Sequence, residues 1–272
     1  MPDKYAVIGN PVAHSKSPLI HAEFARQTGE DVSYAAILAA HGDFETAVER
    51  FRSEGGRGMN VTLPFKHRAH ALAHKRSARA EQALAVNTLA FESDGVHGDN
   101  TDGVGLTRDL MVNLGRVLRG QRILLMGAGG ASFGVCGPLL EENPAQLTVA
   151  NRTKAKALAL CEHFGAVHPG ARVLSGCSYE ELEGRSFDLV VNATSASLAG
   201  EMPNLPPGVF AAGALGYDMV YGRSTPFLEF AVAQGAQGAD GLGMLVEQAA
   251  ESFRIWRGVS PDTAPVIALL RL

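Results

Sequence analysis

Short apolar runs alternate with amphipathic stretches from one end of this chain to the other. Residues 4–9, 34–38 and 58–62 have the length and composition of strands, and residues 18–28 and 44–53 read as the helices between them. A helix also starts at Pro64-Phe-Lys66, and residues 85–91 and 96–97 form short strands about a turn at Asp94-Gly95. A helical pattern over 106–114 leads to an apolar run at 123–126. Strands at 147–150, 172–174, 187–192 and 214–218 then alternate with helices at 131–140, 154–164 and 225–234. The runs at 123–126 and 187–192 do not alternate with polar residues, as expected for strands buried on both faces. Gly241-Leu-Gly243 breaks the chain before a long helix over 244–257, and a closing helix begins near Ala264. This alternation predicts an α/β protein with two open, mostly parallel sheets covered by helices.

A chain of 272 residues is long enough for two domains. The last helices come after the second set of strands is complete, so they are expected to pack back on the first set. That makes a discontinuous domain, 1–102 plus 241–272, with a second domain, 103–240, inserted in it. The formal net charge of −4 offers no general attraction for nucleic acid, so anionic small molecules must be held by local groups. Cys136, Cys161 and Cys177 form no CxxC and no zinc spacing, which suggests a reducing compartment. The N-terminal residues do not read as a signal peptide and no apolar run reaches membrane-spanning length, so a cytoplasmic protein with no membrane partner is expected. His67, His70 and His74 fall at helical spacing without acidic neighbours and are taken as helix residues rather than metal ligands. Asn60-Val-Thr, Asn151-Arg-Thr and Asn192-Ala-Thr match a glycosylation sequon. Each ends or follows a strand-like run, and they are better read as ligand loops at the strand ends of an open α/β sheet.

The candidate chemistry begins where the run 123–126 meets Gly127-Ala-Gly-Gly-Ala-Ser132. Strand, glycine turn and helix in that order form a dinucleotide fingerprint. The glycines let backbone N–H groups of Gly127, Ala128, Gly129, Gly130 and Ala131 approach a pyrophosphate at a helix N-terminus. About twenty residues on, an NAD site would carry an acid for the ribose 2′-hydroxyl. This chain instead carries Asn151, Arg152, Thr153, Lys154 and Lys156, which suit the 2′-phosphate of NADP(H). Thr153 could also be a plain helix cap with solvated bases behind it. In the first unit, Lys66 at a helix start and Asp102 at the domain junction could meet across a cleft. There they would pass a proton to or from an oxygen at the carbon receiving hydride.

Further motifs accompany these: Ser15-Lys-Ser17-Pro18, Asn60-Val-Thr62-Leu-Pro-Phe-Lys66, Ala85-Val-Asn87-Thr88, and Gly98-Asp-Asn-Thr-Asp102-Gly103. After the glycine turn come Asn192-Ala-Thr-Ser195, Tyr217-Asp-Met219-Val-Tyr221, and Asp240-Gly241-Leu-Gly-Met-Leu245 with Gln248. The series resembles the shikimate dehydrogenase family over the whole chain. That resemblance implies a substrate-binding α/β domain followed by a Rossmann-type NADP domain, and reversible NADPH-dependent reduction of 3-dehydroshikimate to shikimate in aromatic amino acid biosynthesis. It implies that Ser15 and Ser17, helped by Tyr221, hold the substrate carboxylate. Thr62, Lys66, Asn87, Asp102 and Gln248 would surround the ring hydroxyls, with Lys66 and Asp102 as the catalytic pair. Met219 and Gly241 would flank the nicotinamide. A monomer or homodimer is expected.

Three positions depart from the family pattern. Phe133 stands where an Arg is frequent, Leu84 where a Gly is frequent, and Ala78 where an acid is frequent. Relatives that favour quinate often carry Thr at the second carboxylate hydroxyl, and NAD users an acid near Arg152. Ser17 and Lys154 point the other way, but a quinate/shikimate enzyme using NAD and a catalytically silent NADP-binding protein remain the alternatives.

Overall fold

The computed structural model describes residues 1–272, the side chain of Leu198 excepted, and separates into two compact units, Met1–Gly105 with Leu245–Leu272, and Leu106–Met244. The first unit opens with β1 (Asp3–Gly9), α1 (Ser17–Thr28), β2 (Val32–Leu38), α2 (Phe44–Ser53) and β3 (Gly56–Val61). It continues through α3 (Lys66–Leu72), β4 (Lys75–Arg76), α4 (Ala78–Ala83), β5 (Thr88–Glu92) and β6 (Gly95–Asp99). The six strands lie in the order β2-β1-β3-β5-β6-β4. β1 pairs in parallel with β2 and β3, and β5 alone runs against its neighbours. Ile8, Met59, Val61, Phe44 and Phe65 make the core between sheet and helices.

The chain crosses into the second unit within α5 (Asp102–Arg108), which continues as one π-helical turn, Asp109–Asn113. That turn swings the Asp109 carboxylate to accept the Tyr217 hydroxyl at 2.7 Å and the Asn113 amide at 2.9 Å. There follow β7 (Arg122–Met126), α6 (Gly130–Glu141), β8 (Gln146–Ala150), α7 (Lys154–Val167), β9 (Leu174–Cys177), β10 (Phe187–Asn192), β11 (Phe210–Asp218), α8 (Pro226–Ala233) and β12 (Gln237–Asp240). The sheet is parallel throughout, in the order β12-β11-β10-β7-β8-β9, and this is the doubly wound dinucleotide-binding topology. α9 (Leu242–Arg257) then carries the chain back into the first unit. Val246, Ala249 and Phe253 of α9 and Val266 of α10 (Ala264–Leu270) pack there against Ile20 and Phe24 of α1.

The structure departs from the sequence reading in places with clear causes. Residues 169–173 form a 3-10 turn and β9 starts at Leu174, because its register is set by pairing with β8 rather than by its own hydrophobicity. β12, Gln-Gly-Ala-Asp, has no apolar run and is a strand only through its ladder with β11. The glycine break over 241–243 is shorter than expected, since α9 already begins at Leu242. His74 lies beyond α3, while His67 bonds the Leu84 carbonyl at 2.8 Å and His70 meets Glu81 at 3.3 Å, an acid that sequence spacing did not reveal. Among the described residues, no helix is long and apolar enough to cross a membrane.

Leu84 ends α4 in the left-handed conformation, at φ 51°, with a half-exposed side chain. A Cβ in this region costs about 1–2 kcal/mol, which explains why glycine suits the position. Leu84→Gly is expected to raise unfolding stability by about 1 kcal/mol in urea titrations; an unchanged or lower midpoint would remove the strain argument. His21 is fully buried, its ring stacked on Tyr34 with centroids 4.2 Å apart, and neither nitrogen meets a partner in hydrogen-bonding geometry. Burial pushes its pKa down to about 3, opposed only in part by Asn60. Between the unfolded value near 6.5 and about 3 the unfolded chain holds a proton that the folded one does not, so stability falls as pH drops through that window. His21→Phe keeps a flat ring and removes this dependence, worth about 1.4 kcal/mol per pH unit for one group. Unfolding free energies between pH 7 and pH 4 check it, and parallel curves for the two proteins would exclude His21 as the source.

Candidate active site

In the first unit the chemistry-bearing residues converge on one edge of the sheet. Ser15 and Ser17 follow β1, Thr62 and Lys66 follow β3, and Asp102 follows β6. Asn87 immediately precedes β5, and because β5 runs in the opposite sense its beginning lies at that same edge. Gly9 makes the approach of the β3 loop possible, since a Cβ there would lie 2.4 Å from Thr62 Cγ2. The Thr62 N–H donates to the Ile8 carbonyl at 2.9 Å, and the Ser17 N–H to Ser15 Oγ at 3.2 Å.

At the centre, Lys66 Nζ lies 2.6 Å from Asp102 Oδ2. Asn87 Nδ2 donates to the other carboxylate oxygen at 2.8 Å, to Thr101 Oγ1 at 2.9 Å, and reaches Gln248 Oε1 at 3.3 Å. Asp102 is buried, and an ammonium and an amide on separate oxygens are what a buried carboxylate requires. Beneath this pair lies a layer that sequence reasoning missed. Asn60 Nδ2 donates to Thr88 Oγ1 and to Ser252 Oγ, Ser252 bonds Thr88 at 2.8 Å, and the Tyr34 hydroxyl donates to Asn60 Oδ1 at 2.7 Å. Its one available signal was spacing: Ser252 lies four residues after Gln248, on the same face of α9. The Asn60 side chain, in a sequon read only as a loop, is therefore a buried hub.

In the second unit the strand order reverses between β7 and β10, the point at which doubly wound sheets take ligands. Gly127 has φ 101°, where a side chain would be strained and would press on Thr194. α6 begins at Gly130, its cap residue Gly129 offers no side-chain bond, and nothing lies within 4 Å of where a Gly129 Cβ would be. Uncapped N–H groups of Gly130 and Ala131 beside open space, with Ala128 in the turn between, suit a pyrophosphate. Asn151 to Lys156 run from the end of β8 into α7, with Arg152, Thr153, Lys154 and Lys156 exposed. Thr153 takes the cap position without a capping bond, and Asn151 Nδ2 donates to its carbonyl at 2.9 Å. The α7 N-terminus is thus open, with a fit to a phosphate that a capped helix would lack.

Met219 and Gly241 lie side by side at the ends of β11 and β12. A Cβ at Gly241 would stand 2.3 Å from the Met219 carbonyl oxygen, and the Gly241 N–H donates to the Val220 carbonyl. The loop after β11 is tied down by Asp218, fully buried, which accepts from Ser197, Thr225, Asn192 and the Val220 N–H. Asp218 was legible only as part of a motif, and its position under the loop was not. Tyr221 lies just beyond in this unit, with burial raising its phenol pKa. Phe133 packs against His163 and Phe164 on the unit's core rather than offering a charge. Cys136 is fully buried, burial raises all three thiols, and Cys161 is pushed up to about 11.

Comparison with known proteins matches the chain to three family profiles. These are the shikimate dehydrogenase substrate binding domain over residues 7–89, shikimate/quinate 5-dehydrogenase over 110–199, and the shikimate 5′-dehydrogenase C-terminal domain over 241–271. A relative from Aromatoleum aromaticum named shikimate dehydrogenase (NADP(+)) is 62% identical across 99% of this chain and 97% of its own. The crystal structure of an Ael1 enzyme from Pseudomonas putida superposes with a TM-score of 0.92 at 52% identity, covering 98% of both chains. The shikimate 5-dehydrogenase of Thermus thermophilus, in complex with NADP(H) and shikimate, superposes with a TM-score of 0.86 at 33% identity over 99% of this chain and 98% of its own. With identity of this order running from end to end through both units, the chain belongs to the shikimate dehydrogenase family.

Proposed function

We propose that this protein catalyses the reversible NADPH-dependent reduction of 3-dehydroshikimate to shikimate, the step its family supplies to aromatic amino acid biosynthesis. It would do so in the cytoplasm, as a monomer or homodimer. The observation that carries the reading is the ammonium of Lys66 held 2.6 Å from Asp102 at the sheet edge where Ser15, Ser17, Thr62, Asn87 and Gln248 also gather. Ser15 and Ser17 hold the substrate carboxylate as hydroxyl donors, assisted by Tyr221. Asn87 and Gln248 can each donate and accept, which suits a ring bearing several hydroxyls. The nicotinamide, when bound, supplies or receives the hydride at the ring carbon. Lys66 gives its proton to the carbonyl oxygen as that oxygen becomes a hydroxyl, and takes it back in the reverse direction. Asp102 orients the ammonium and balances its charge, while Asn87 keeps the carboxylate from turning away.

The cofactor is held by the backbone from Gly127 to Ala131 at the pyrophosphate, by Asn151 to Lys156 at the 2′-phosphate, and by Met219 and Gly241 beside the nicotinamide. The residues that distinguish NADP from NAD are Arg152 and its basic neighbours, where an NAD site would set an acid.

Lys66→Ala is expected to lower kcat by about 10²–10⁴-fold with a much smaller change in KM, because the proton moves mainly in the transition state. Near-normal turnover in that variant would take Lys66 out of the mechanism. Initial rates with shikimate and quinate, each with NADP+ and NAD+, test the assignment as a whole. Shikimate with NADP+ should be the fastest pair, whereas preference for quinate with NAD+ would favour the rival reading, and no rate with any pair would favour a silent binding protein.

A further inference from the structure

The loop proposed to read the 2′-phosphate already holds an anion. Lys154 Nζ donates to Glu181 Oε1 at 2.5 Å, and the backbone N–H of Ser178 donates to Glu181 Oε2 at 2.9 Å. An ammonium and a main-chain N–H are the donor types that also bind phosphate oxygens. Ser178 directly follows Cys177, whose carbonyl accepts the Asn151 N–H at 3.2 Å, so the Glu181 segment and the Asn151–Lys156 loop are joined at their bases. Tyr179 lies in the same segment; burial pushes its phenol up to about 12, and the positive charge of Arg152 pulls against that. Arg152 and Lys156 form no ion pair among the described residues, so Lys154 is the one base of this loop that a carboxylate has already claimed.

We propose that Glu181 is a specificity-determining residue, a carboxylate that occupies Lys154 until a 2′-phosphate displaces it. The proposal rests on the NADP reading above and refines it. A 2′-phosphate must compete with Glu181 for the Lys154 ammonium and then sit near a displaced negative charge. The 2′-hydroxyl of NAD does neither. Glu181 therefore weakens binding of NADP without touching NAD, and so sets how strongly the loop separates the two cofactors. Because the pair is about half exposed, the effect is modest.

Dissociation constants for NADP+, NAD+, 2′,5′-ADP and 5′-ADP, measured by calorimetry on the wild-type protein, on Glu181→Gln and on Lys154→Gln with and without Glu181→Gln, test this. Glu181→Gln should bind NADP+ and 2′,5′-ADP about 2- to 5-fold more tightly, with NAD+ and 5′-ADP unchanged. The gain should shrink at high salt and be clearly smaller in the Lys154→Gln background, where only the repulsion from Glu181 remains. An unchanged or lower ratio of NADP+ to NAD+ affinity overturns the proposal, as does an equal gain for both cofactors or a gain undiminished without Lys154. A wild-type protein that fails to prefer NADP+ overturns the cofactor reading instead.

Discussion

Asp102 is a carboxylate taken almost entirely out of water, and the first unit is arranged so that each of its oxygens has a donor. An isolated buried carboxylate would be too costly to keep ionised. Lys66 answers one oxygen and Asn87 the other, and Asn87 is itself held by the Thr101 N–H and by Thr88 through its own oxygen. Those partners come from the start of α3, the junction into β5 and the loop after β6. One charge requirement therefore constrains three connections at the sheet edge. It also explains a polar layer of Asn60, Thr88 and Ser252 where an apolar core would be simpler. A network of this kind is stable only when every member is satisfied, and it fixes side-chain directions more narrowly than packing alone can.

The two units meet their polar demands differently. The first relies on side chains of both hydrogen-bonding characters, such as Asn60, Asn87 and Ser252. The second relies on main-chain N–H groups, left open at the starts of α6 and α7 where side-chain caps are absent. Two glycines at these loops cannot be replaced without cost, Gly127 by its dihedral angle and Gly241 by its contact with Met219. Open helix ends of this kind favour anions locally, even on a protein with net charge −4. Asp218 does for the loop after β11 what Asn87 does at Asp102. A fully paired buried group holds the strand end in one conformation.

Fold class, the alternation of helix and strand, the glycine turn and the basic loop were legible in the sequence, because each rests on local rules. Buried parallel strands are apolar on both faces, tight turns need glycine, and a 2′-phosphate calls for cations. Ordered motifs then nominated candidate site residues, from Ser15 to Gln248, at particular positions. Elements stabilised only by a neighbour escaped that reading. β12 is a strand because β11 offers it a ladder, β9 takes its register from β8, and the π turn at Asp109 exists because Tyr217 waits more than a hundred residues on. The same holds for the chemistry. Residue types could nominate Lys66 and Asp102 as a pair, but only the tertiary structure brought Asn60, Thr88 and Ser252 beneath them and set Glu181 against Lys154. Hydrogen bonds depend on distance in space, and a chain read in one dimension carries no measure of that distance.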